Sequence, residues 1–339
     1  MPGLDIFNSD AFNMFSLTEA VQGIPFEPSL LGSMGLFMPR PVTTISVGVE
    51  RRNGVLTLIQ TSERGSPFAK DTANRANIRD FRTSRIGKTS TIHSHELVGM
   101  RAFGTESDLA TVQTEVAFRM DGLTSDLNVT LENHRLGAVQ GIVLDADGST
   151  IYNYYTEFGV SQPAEITFSN AAVTTAGGMI PFIDNNIKRP MLRAMGGTGI
   201  GRPVALCGDT FFDWFTQHAD VRNTYLNWQA AEMLRESKAF ESFSFGGVDW
   251  VNYRGTDDNS TVAVGLTKAK FFPSGVRGLF QQIMSPGESM EMVGTRGQER
   301  YAQILRDPSG RDAFVDVEVA TYPLFMCTRP EALLRGVAA

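Results

Sequence analysis

The residues nearest to a metal-binding pattern are two histidines and a glutamate. His93, His95 and Glu96 lie in a strand-like segment, where positions two apart share a face, so both imidazoles could point at one ion. A protein site for zinc needs three or four ligands, and no further Cys or His pair stands near them in the sequence. We therefore predict no metal at this position.

Two glycine-containing segments look like ligand loops, but both lack the required spacing. The run GGTGIG at residues 196–201 is not GxGxxG, and it follows a predicted helix instead of opening one. Residues 145–148 begin like a calcium loop, yet Thr156 occupies the position of the closing glutamate. A loop and a hairpin turn are the better interpretations, so no cofactor is predicted at either place.

Nucleophilic catalysis has no recognisable pattern in this chain. His134 and His218 stand alone in sequence, and no serine or cysteine occupies a GxSxG setting. Cys207 and Cys327 each lie among apolar strand-like residues, which predicts two buried thiols instead of a disulfide. A soluble enzyme stays as a disfavoured alternative, because catalytic groups can assemble from distant parts of a sequence.

The most informative element is a long helix. Apolar residues recur at steps of three and four, which predicts one amphipathic helix over residues 105–138. Thr105 followed by Asp108 resembles a capping box at its start. Gly122 predicts a bend or a close packing contact inside it. The apolar positions are Leu109, Val112, Val116, Met120, Leu123, Leu127 and Leu131.

Two extended segments precede this helix. Residues 1–42 combine phenylalanines with prolines that interrupt regular elements, so this arm must bury its apolar side chains against another surface. Alternating apolar residues at 45–49 and a return at 55–60 flank Asn53-Gly54, a strong turn signal. The second segment is therefore predicted to be a β-hairpin.

The charges of the chain are unevenly distributed. Residues 64–88, the basic segment, hold seven cations and two acids, or +5, while the whole chain carries −7, so the remainder carries −12. The predicted helix has six acids and two arginines, or −4. Because opposite potentials orient partners, the basic segment of one copy is predicted to dock on the acidic helix of the next. The alternative is a solvated loop beside a solvated helix face.

Direct nucleic-acid binding is a further interpretation of the basic segment. Phe68 and Phe81 lie among its cations, which is the composition of a strand-binding platform. The chain as a whole is acidic, however, and no RNA- or DNA-binding signature accompanies them. This function is therefore disfavoured.

Short helices and strands alternate after the long helix. Asp147-Gly148 predicts the turn of a second hairpin. Asp184, Asp209 and Asp220 are predicted to cap helices, the first of which Pro190 should kink. The last predicted strand is expected to pair with an earlier hairpin. The predicted strands are 142–144, 151–155, 243–245, 248–253 and 315–319.

Composition places the chain among globular proteins. With 339 residues, 42% hydrophobic and 20% charged, it can bury a sizeable core in one large or two moderate domains. No run of 18 apolar residues occurs, and the N-terminus MPGLDIFNSD lacks the layout of a signal peptide. We therefore expect a protein that is made and used in a cytoplasm, without membrane contact.

The order of these parts resembles the lambda-type major capsid proteins of tailed phages, the protein E-like family, which share the Hong Kong 97-like fold. The resemblance rests on PFEPSLLGSMGLF, TTISVGVERRNGVLTLIQTSERGSP and MCTRPEALLRG together with the long helix, and it covers essentially the whole chain. It implies an α+β protein. The implied parts are an N-terminal arm at 1–42, an E-loop region at 43–97, a P-domain at 98–178 and 311–329 with its spine helix at 105–138, an A-domain at 179–310 and a tail at 330–339.

The resemblance implies a major capsid protein of a tailed bacteriophage that assembles, as pentamers and hexamers, into an icosahedral shell around double-stranded DNA. Implied partners are a scaffolding protein, a portal and, as an optional addition, a decoration protein; no cofactor and no enzymatic activity are implied. The implied location is the virion, after assembly in the bacterial cytoplasm. Some relatives join subunits by a lysine–asparagine crosslink, but no residue here can be assigned to one, so we expect a noncovalent shell. Because no long helical scaffolding segment precedes residue 1 in this sequence, we expect a separate scaffolding protein, with a cleaved precursor as the alternative. An encapsulin-like nanocompartment is the alternative with the same fold.

The predicted contacts between subunits combine the basic segment, the acidic helix and two arm phenylalanines. Charged groups fix register, and the phenylalanines need a surface on which to bury. The predicted residues are Arg64, Arg75, Arg79, Arg82, Arg85, Lys88, Glu115, Asp121, Asp126, Phe26 and Phe37.

Overall fold

The computed structural model describes residues 30–51, 77–96, 108–169, 177–196, 199–226, 242–253, 262–310 and 313–338. The chain divides into two compact units, each built from three separate stretches of sequence. The first unit comprises Met1–Val47, Arg82–Arg135 and Gln281–Met326, and the second comprises Gly48–Phe81, Leu136–Phe280 and Cys327–Ala339.

Helices and strands are mixed along the described ranges, as expected of an α+β protein. The helices are α1 (Leu30–Ser33), α2 (Asp108–Gln140), α3 (Tyr154–Phe158), α4 (Met179–Ile183), α5 (Arg189–Ala194), α6 (Asp209–Gln217) and α7 (Ala219–Leu226). The strands are β1 (Met38–Pro41), β2 (Ser46–Arg51), β3 (Asn77–Arg82), β4 (Ile86–His93), β5 (Ile142–Leu144), β6 (Thr150–Asn153), β7 (Ile166–Phe168), β8 (Pro203–Cys207), β9 (Ser242–Phe245), β10 (Val248–Asn252), β11 (Lys268–Pro273), β12 (Phe280–Met284), β13 (Tyr301–Arg306), β14 (Phe314–Thr321), β15 (Pro323–Cys327) and β16 (Leu334–Ala338).

The core of the first unit lies between the long helix α2 and a three-stranded sheet. The sheet has the order β13-β14-β4, with both pairs antiparallel. The strand predicted at 315–319 is its centre and pairs with β4, the strand before the helix. The sheet also joins residues on both sides of the predicted domain boundary at 310–311. Val315, Val317 and Val319 pack with Val116, Met120, Leu123 and Leu127 of the helix.

The predicted long helix is confirmed. It runs Asp108–Gln140, and the predicted first residues, 105–107, lie outside the described ranges. One face of the helix is exposed in its first half, whereas residues 131–139 are buried except for half-buried Asn133. The described residues of the predicted apolar stripe are all at most 5% exposed: Val116, Met120, Leu123, Leu127 and Leu131.

Gly122 offers a direct test of this helix. Apart from the adjacent residues and backbone of its own helix, no described atom lies within 4 Å of the position that a Cβ would take, so the predicted close packing is not observed. Gly122→Ala is expected to raise the free energy of unfolding by about 1 kcal/mol, because alanine favours the helix by that amount. Urea denaturation of the full-length chain measures this change.

Gly137→Ala is the matched control in the same helix. A Cβ at Gly137 would lie 2.8 Å from the Cα atom of Val143, so this variant is expected to lose about 1–3 kcal/mol through overpacking. If Gly122→Ala and Gly137→Ala shift the urea midpoint in the same direction, then Gly122 does not face open space or Gly137 is not in a crowded position, and the described packing of the helix is wrong.

The end of the predicted arm joins a second sheet of the first unit. β1 pairs in parallel with β12, whose other neighbour is β15. Pro39 and Pro41 are tolerated because β1 lies at the sheet edge. Phe37 is 8% exposed and meets the Phe325 ring edge-on, with centroids 5.2 Å apart. Phe37 therefore buries its ring within the chain, whereas Met38 beside it stays exposed.

The hairpin predicted at 45–60 is described only in part. β2 covers its first strand and is hydrogen-bonded to β3. The Asn53-Gly54 turn and the return strand at 55–60 lie outside the described residues, so the hairpin itself stays a prediction.

The second unit is built on a six-stranded mixed sheet of order β7-β16-β11-β8-β10-β9. The predicted strands at 243–245 and 248–253 are confirmed as β9 and β10, joined by Gly246-Gly247 with φ of 61° and 76°. Trp250 stacks on Phe215 with ring centroids 3.8 Å apart and donates its indole N–H to the Phe245 carbonyl at 3.1 Å. The core also holds Phe168, Phe211 and Phe271, all 0% exposed.

The second hairpin is confirmed with one change. β5 and β6 are antiparallel around Gly148, whose φ is 82°. The hydrogen bonds from Ser149 lower the pKa of the exposed Asp147 carboxyl. The predicted strand at 151–155 ends earlier, because Asn153 accepts hydrogen bonds from two backbone N–H groups and starts the short helix α3.

The predicted cap at Asp184 is wrong. The helix begins at Met179, and Asp184 lies inside it. A π-helical turn at Asp184–Lys188 precedes Pro190, the residue predicted to kink the helix. Proline has no N–H for the regular helical hydrogen bond, so an irregular turn at this point is its expected consequence.

The other two predicted caps need correction as well. Gly208 holds the N-cap position of α6, and Asp209 lies in its first turn. Asp220 lies in the first turn of α7, but its carboxylate accepts hydrogen bonds from the N–H groups of Gly177 and Met179, at 2.8 and 3.1 Å. It therefore caps α4 instead of its own helix, and these bonds lower its pKa.

Both cysteines are buried free thiols, as predicted. Burial raises the pKa of Cys327 to about 12 and that of Cys207 well above its ordinary value. Neither thiol is a nucleophile near neutral pH.

Candidate interaction surface

Three of the four described cations of the basic segment face acids of the same chain. Arg79 lies 3.9 Å from Glu157, within the second unit. In the first unit, Arg85 lies 3.4 Å from Glu288, and Lys88 donates to Asp126 of the long helix. Arg82 is exposed at the end of β3, and Arg64 and Arg75 lie outside the described residues, as does Phe26.

The acids of the long helix have similar local partners. Glu115 accepts from Arg119 at 2.7 Å, one turn away, and Arg119 also reaches Glu96 at 2.8 Å. Asp126 pairs with Lys88, as noted. Asp121 is exposed and has no ion-pair partner within the part of the chain that the structure describes. Two of the three helix acids predicted to contact a neighbour are thus paired within their own chain, namely Glu115 and Asp126.

The ion pairs of Arg85 and Lys88 are weak enough to exchange partners. The side chains of Arg85 and Glu288 are 65% and 58% exposed, and those of Lys88 and Asp126 are 58% and 56% exposed. Pairs of this exposure contribute about 0–1 kcal/mol each, because water screens both charges. A neighbouring molecule with better-placed charges can therefore replace an internal partner at small cost.

One of the six acids of the predicted helix is buried instead of facing solvent. Glu132 is 5% exposed and accepts a hydrogen bond from the Leu31 N–H at 2.8 Å, which ties α1 to α2. Arg135 lies 3.5 Å from the same carboxylate and places its guanidinium 5.1 Å from the centre of the Phe325 ring. Sequence reasoning missed this buried pair. The spacing of apolar residues identifies the buried face of the helix, but it does not tell which charged residues lie at the edge of that face and which face solvent.

The face of the three-stranded sheet away from the helix is polar. Asp316 accepts from Thr91 at 2.5 Å, and Glu318 accepts from Gln303 at 2.6 Å and from Thr89 at 3.3 Å. A cleft of about 170 Å³ lies at one end of this face. Its lining includes Arg85, Glu288, Gln303, Glu318, Tyr301 and Tyr322.

Among the described residues, the histidine pair has no third metal ligand beside it. His93 ends β4, its ring stacks on that of His95 with centroids 5.4 Å apart, and its edge meets Phe314. Glu96 bonds to Arg119. Within the described residues, no three potential ligands converge on one point, and no helix is long and apolar enough to cross a bilayer.

Comparison with known proteins gives relatives over almost the whole chain. The family profile described as phage major capsid protein E matches residues 13–338. The chain is 26% identical over 360 residues to the major capsid protein of Salmonella phage Felix O1, covering 95% of both, and 26% identical over 347 residues to that of Pseudomonas phage KPP10, covering 97% of both. Its fold is similar to one in the capsid structure of the cyanophage P-SCSP1u, with a TM-score of 0.52 at 10% identity over 92% of this chain and 89% of the other. The chain therefore belongs to the phage major capsid protein E family.

Proposed function

We propose that this phage major capsid protein builds the icosahedral head of a tailed bacteriophage from pentamers and hexamers of itself, and that the shell encloses double-stranded DNA without reading its sequence. The observation that carries the proposal is the family match over residues 13–338. A closed shell needs many copies in repeated, asymmetric contacts that close. Exposed ion pairs of small individual strength suit such contacts, because they can rearrange as copies meet.

The family's parts can be assigned to this chain as part of the proposal. The long helix α2 is the spine of the P-domain, to which strand β14 also belongs, and the A-domain contains the neighbouring strands β11, β8, β10 and β9 of the six-stranded sheet. The arm at 1–42 and the E-loop region at 43–97 reach neighbouring subunits. Assembly takes place in the host cytoplasm with a scaffolding protein and a portal, and a decoration protein is an optional addition.

Imaging tests the function directly. The full-length chain, expressed with its phage's scaffold, is expected to give closed particles by light scattering and negative-stain electron microscopy. A chain that stays monomeric or dimeric under all assembly conditions would contradict the proposal. Particles filled with an enzyme instead of DNA in the infected cell would favour the encapsulin-like alternative.

Reversing the charges of Arg79, Arg82 and Arg85 tests the role of the basic segment. The triple change to glutamate is expected to lower the yield of closed particles at least tenfold, or to lower the temperature at which the particles come apart. The effect is large because the lost contact is repeated in every subunit of the shell. Electron microscopy and a heating series measure these two properties. Shells of normal yield and heat stability would contradict a role of these arginines in assembly.

A charge-swapped variant separates contacts within a chain from contacts between chains. Adding Glu157→Arg and Glu288→Arg to the triple variant restores the two internal ion pairs with opposite sign. If the arginines act on a neighbouring subunit, this swapped variant should stay defective. If it assembles normally, the arginines act only within their own chain.

A further inference from the structure

A cluster of cations lies on the six-stranded sheet of the second unit. Lys268 and Lys270 belong to β11, and Arg335 belongs to the neighbouring antiparallel strand β16. Lys270 and Arg335 are directly opposite each other in the strand register. Glu165, just before β7, is the acid beside them. All four residues belong to one unit.

The single carboxylate is already engaged. The Lys268 ammonium donates to both oxygens of Glu165, each at 2.9 Å. The Arg335 Nε–H donates to the Pro163 carbonyl at 3.3 Å. The half-buried Lys270 ammonium, by contrast, has no hydrogen-bond or ion-pair partner among the described residues. Counted over the described residues, the cluster therefore holds three cations and one carboxylate.

This arrangement is unfavourable in an isolated chain. Like charges directly opposite on antiparallel strands repel each other, and a half-buried ammonium loses part of its hydration. Both effects act on Lys270: desolvation lowers its pKa, and so do the charges of Arg335 and Lys268, against a raising effect from Glu165. A neutral side chain at this position would avoid both costs, so a lysine here favours an additional anion, which the described residues of the chain do not provide.

We propose that Lys270, with Arg335 beside it, receives a carboxylate of a second copy of this chain. The inference rests on the proposed shell, in which every subunit is surrounded by copies of itself. Each copy has surplus acid, since the chain carries −7. A recessed ammonium suits one inserted carboxylate side chain. A DNA duplex carries a charge every ~1.7 Å along its axis and is held by several exposed cations in a row, which this cluster lacks.

Isotopic mixing with zero-length crosslinking tests the contact. Shells are assembled from equal amounts of ¹⁵N-labelled and unlabelled full-length chain and treated with a carbodiimide, which couples a lysine to an adjacent carboxylate. Mass spectrometry is expected to find Lys270 joined to an aspartate or glutamate peptide in mixed heavy–light pairs. Lys270 that couples only within one chain, or not at all, overturns the inference. Protection of Lys270 in DNA-filled but not in empty shells also overturns it and favours a phosphate of the duplex.

Lys270→Gln provides a second, independent readout through the sign of its effect. In dilute, unassembled chain the variant should be as stable as wild type or more stable, because repulsion and desolvation are removed. In shells it should weaken association by roughly tenfold per contact, the effect of one lost charge-assisted hydrogen bond, and lower the dissociation temperature. Lys270→Arg should keep the shell intact.

Lys268→Gln is the matched control, since it removes the partner of Glu165 and should destabilise the unassembled chain as well as the shell. Equal destabilisation of both forms by Lys270→Gln would show a merely structural role and overturn the inference. Wild-type chain that forms no particle contradicts the proposed shell itself, whereas intact wild-type shells without the heavy–light link contradict this contact alone.

Discussion

Glu132→Ala is expected to lower the free energy of unfolding by about 3–5 kcal/mol, the cost of removing one partner of a buried charge pair. The variant takes the acceptor from the Leu31 N–H and the counter-charge from Arg135, which are both buried. Urea denaturation of the unassembled, full-length chain measures the change. We expect α1 to detach first, because its start is held by this carboxylate, and hydrogen exchange at Leu31 should then rise.

Asp126→Asn is the control for this prediction. It removes an acid of the same helix from an exposed pair with Lys88, and it should cost at most about 1 kcal/mol. The combined change of Glu132 and Arg135 to methionine should recover most of the loss, because well-packed apolar residues replace buried ion pairs at little cost. Equal effects of Glu132→Ala and Asp126→Asn would show that Glu132 is solvated in solution.

Trp250→Ala is expected to cost about 3–5 kcal/mol in the second unit. The indole is 0% exposed, stacks on Phe215 and touches Phe168 and Phe271, so its removal leaves a cavity among aromatic rings that cannot close over it. Loss of near-ultraviolet circular dichroism and a lower urea midpoint are the expected signals.

Phe118→Ala is the matched aromatic truncation. Phe118 is 71% exposed on the long helix, so its removal should change the stability of the unassembled chain by no more than about 0.5 kcal/mol. Trp250→Phe should lie between the two, because it keeps most of the ring contacts and loses the hydrogen bond to the Phe245 carbonyl. A small effect of Trp250→Ala on the free energy of unfolding would mean that the aromatic core does not stabilise the packing of the six-stranded sheet against its helices.

Elements set by short-range pattern could be predicted from the sequence. The long helix, the β5-β6 hairpin and the β9-β10 hairpin follow from the spacing of apolar residues and from Asp147-Gly148 and Gly246-Gly247. These signals act over a few residues, because backbone geometry and side-chain burial fix them locally. Family resemblance extended the prediction to function, which periodicity alone could not give.

The partners of charged residues could not be predicted. Lys88 meets Asp126 across 38 positions of sequence, and Asp220 caps a helix that begins at Met179. Such pairs depend on how distant elements pack, and no local pattern distinguishes them from solvated charges. The sign of the surface charges was therefore easier to predict than their partners. The proposed docking of the basic segment on a neighbouring subunit requires that weak ion pairs within one chain be exchanged for pairs between chains.

The wrong helix cap at Asp184 has a similar cause. An aspartate before an apolar stretch is a common start signal, but the true start at Met179 uses a carboxylate from another helix. Pro190 removes one backbone N–H donor from the helix, and the π-helical turn before it accommodates this loss. The sequence alone does not show whether the helix ends at such a proline or continues past it. Sequence signals for helix ends are reliable only when the capping group is local.

The two buried thiols have a practical consequence for chemical labelling. Since Cys207 and Cys327 are the only cysteines of the chain and both are inert near neutral pH, maleimide reagents should leave the wild-type protein unmodified. A cysteine introduced at an exposed position such as Phe118 would then carry the sole reactive sulfur. Fluorophores or cargo could be attached once per subunit without first removing the native cysteines.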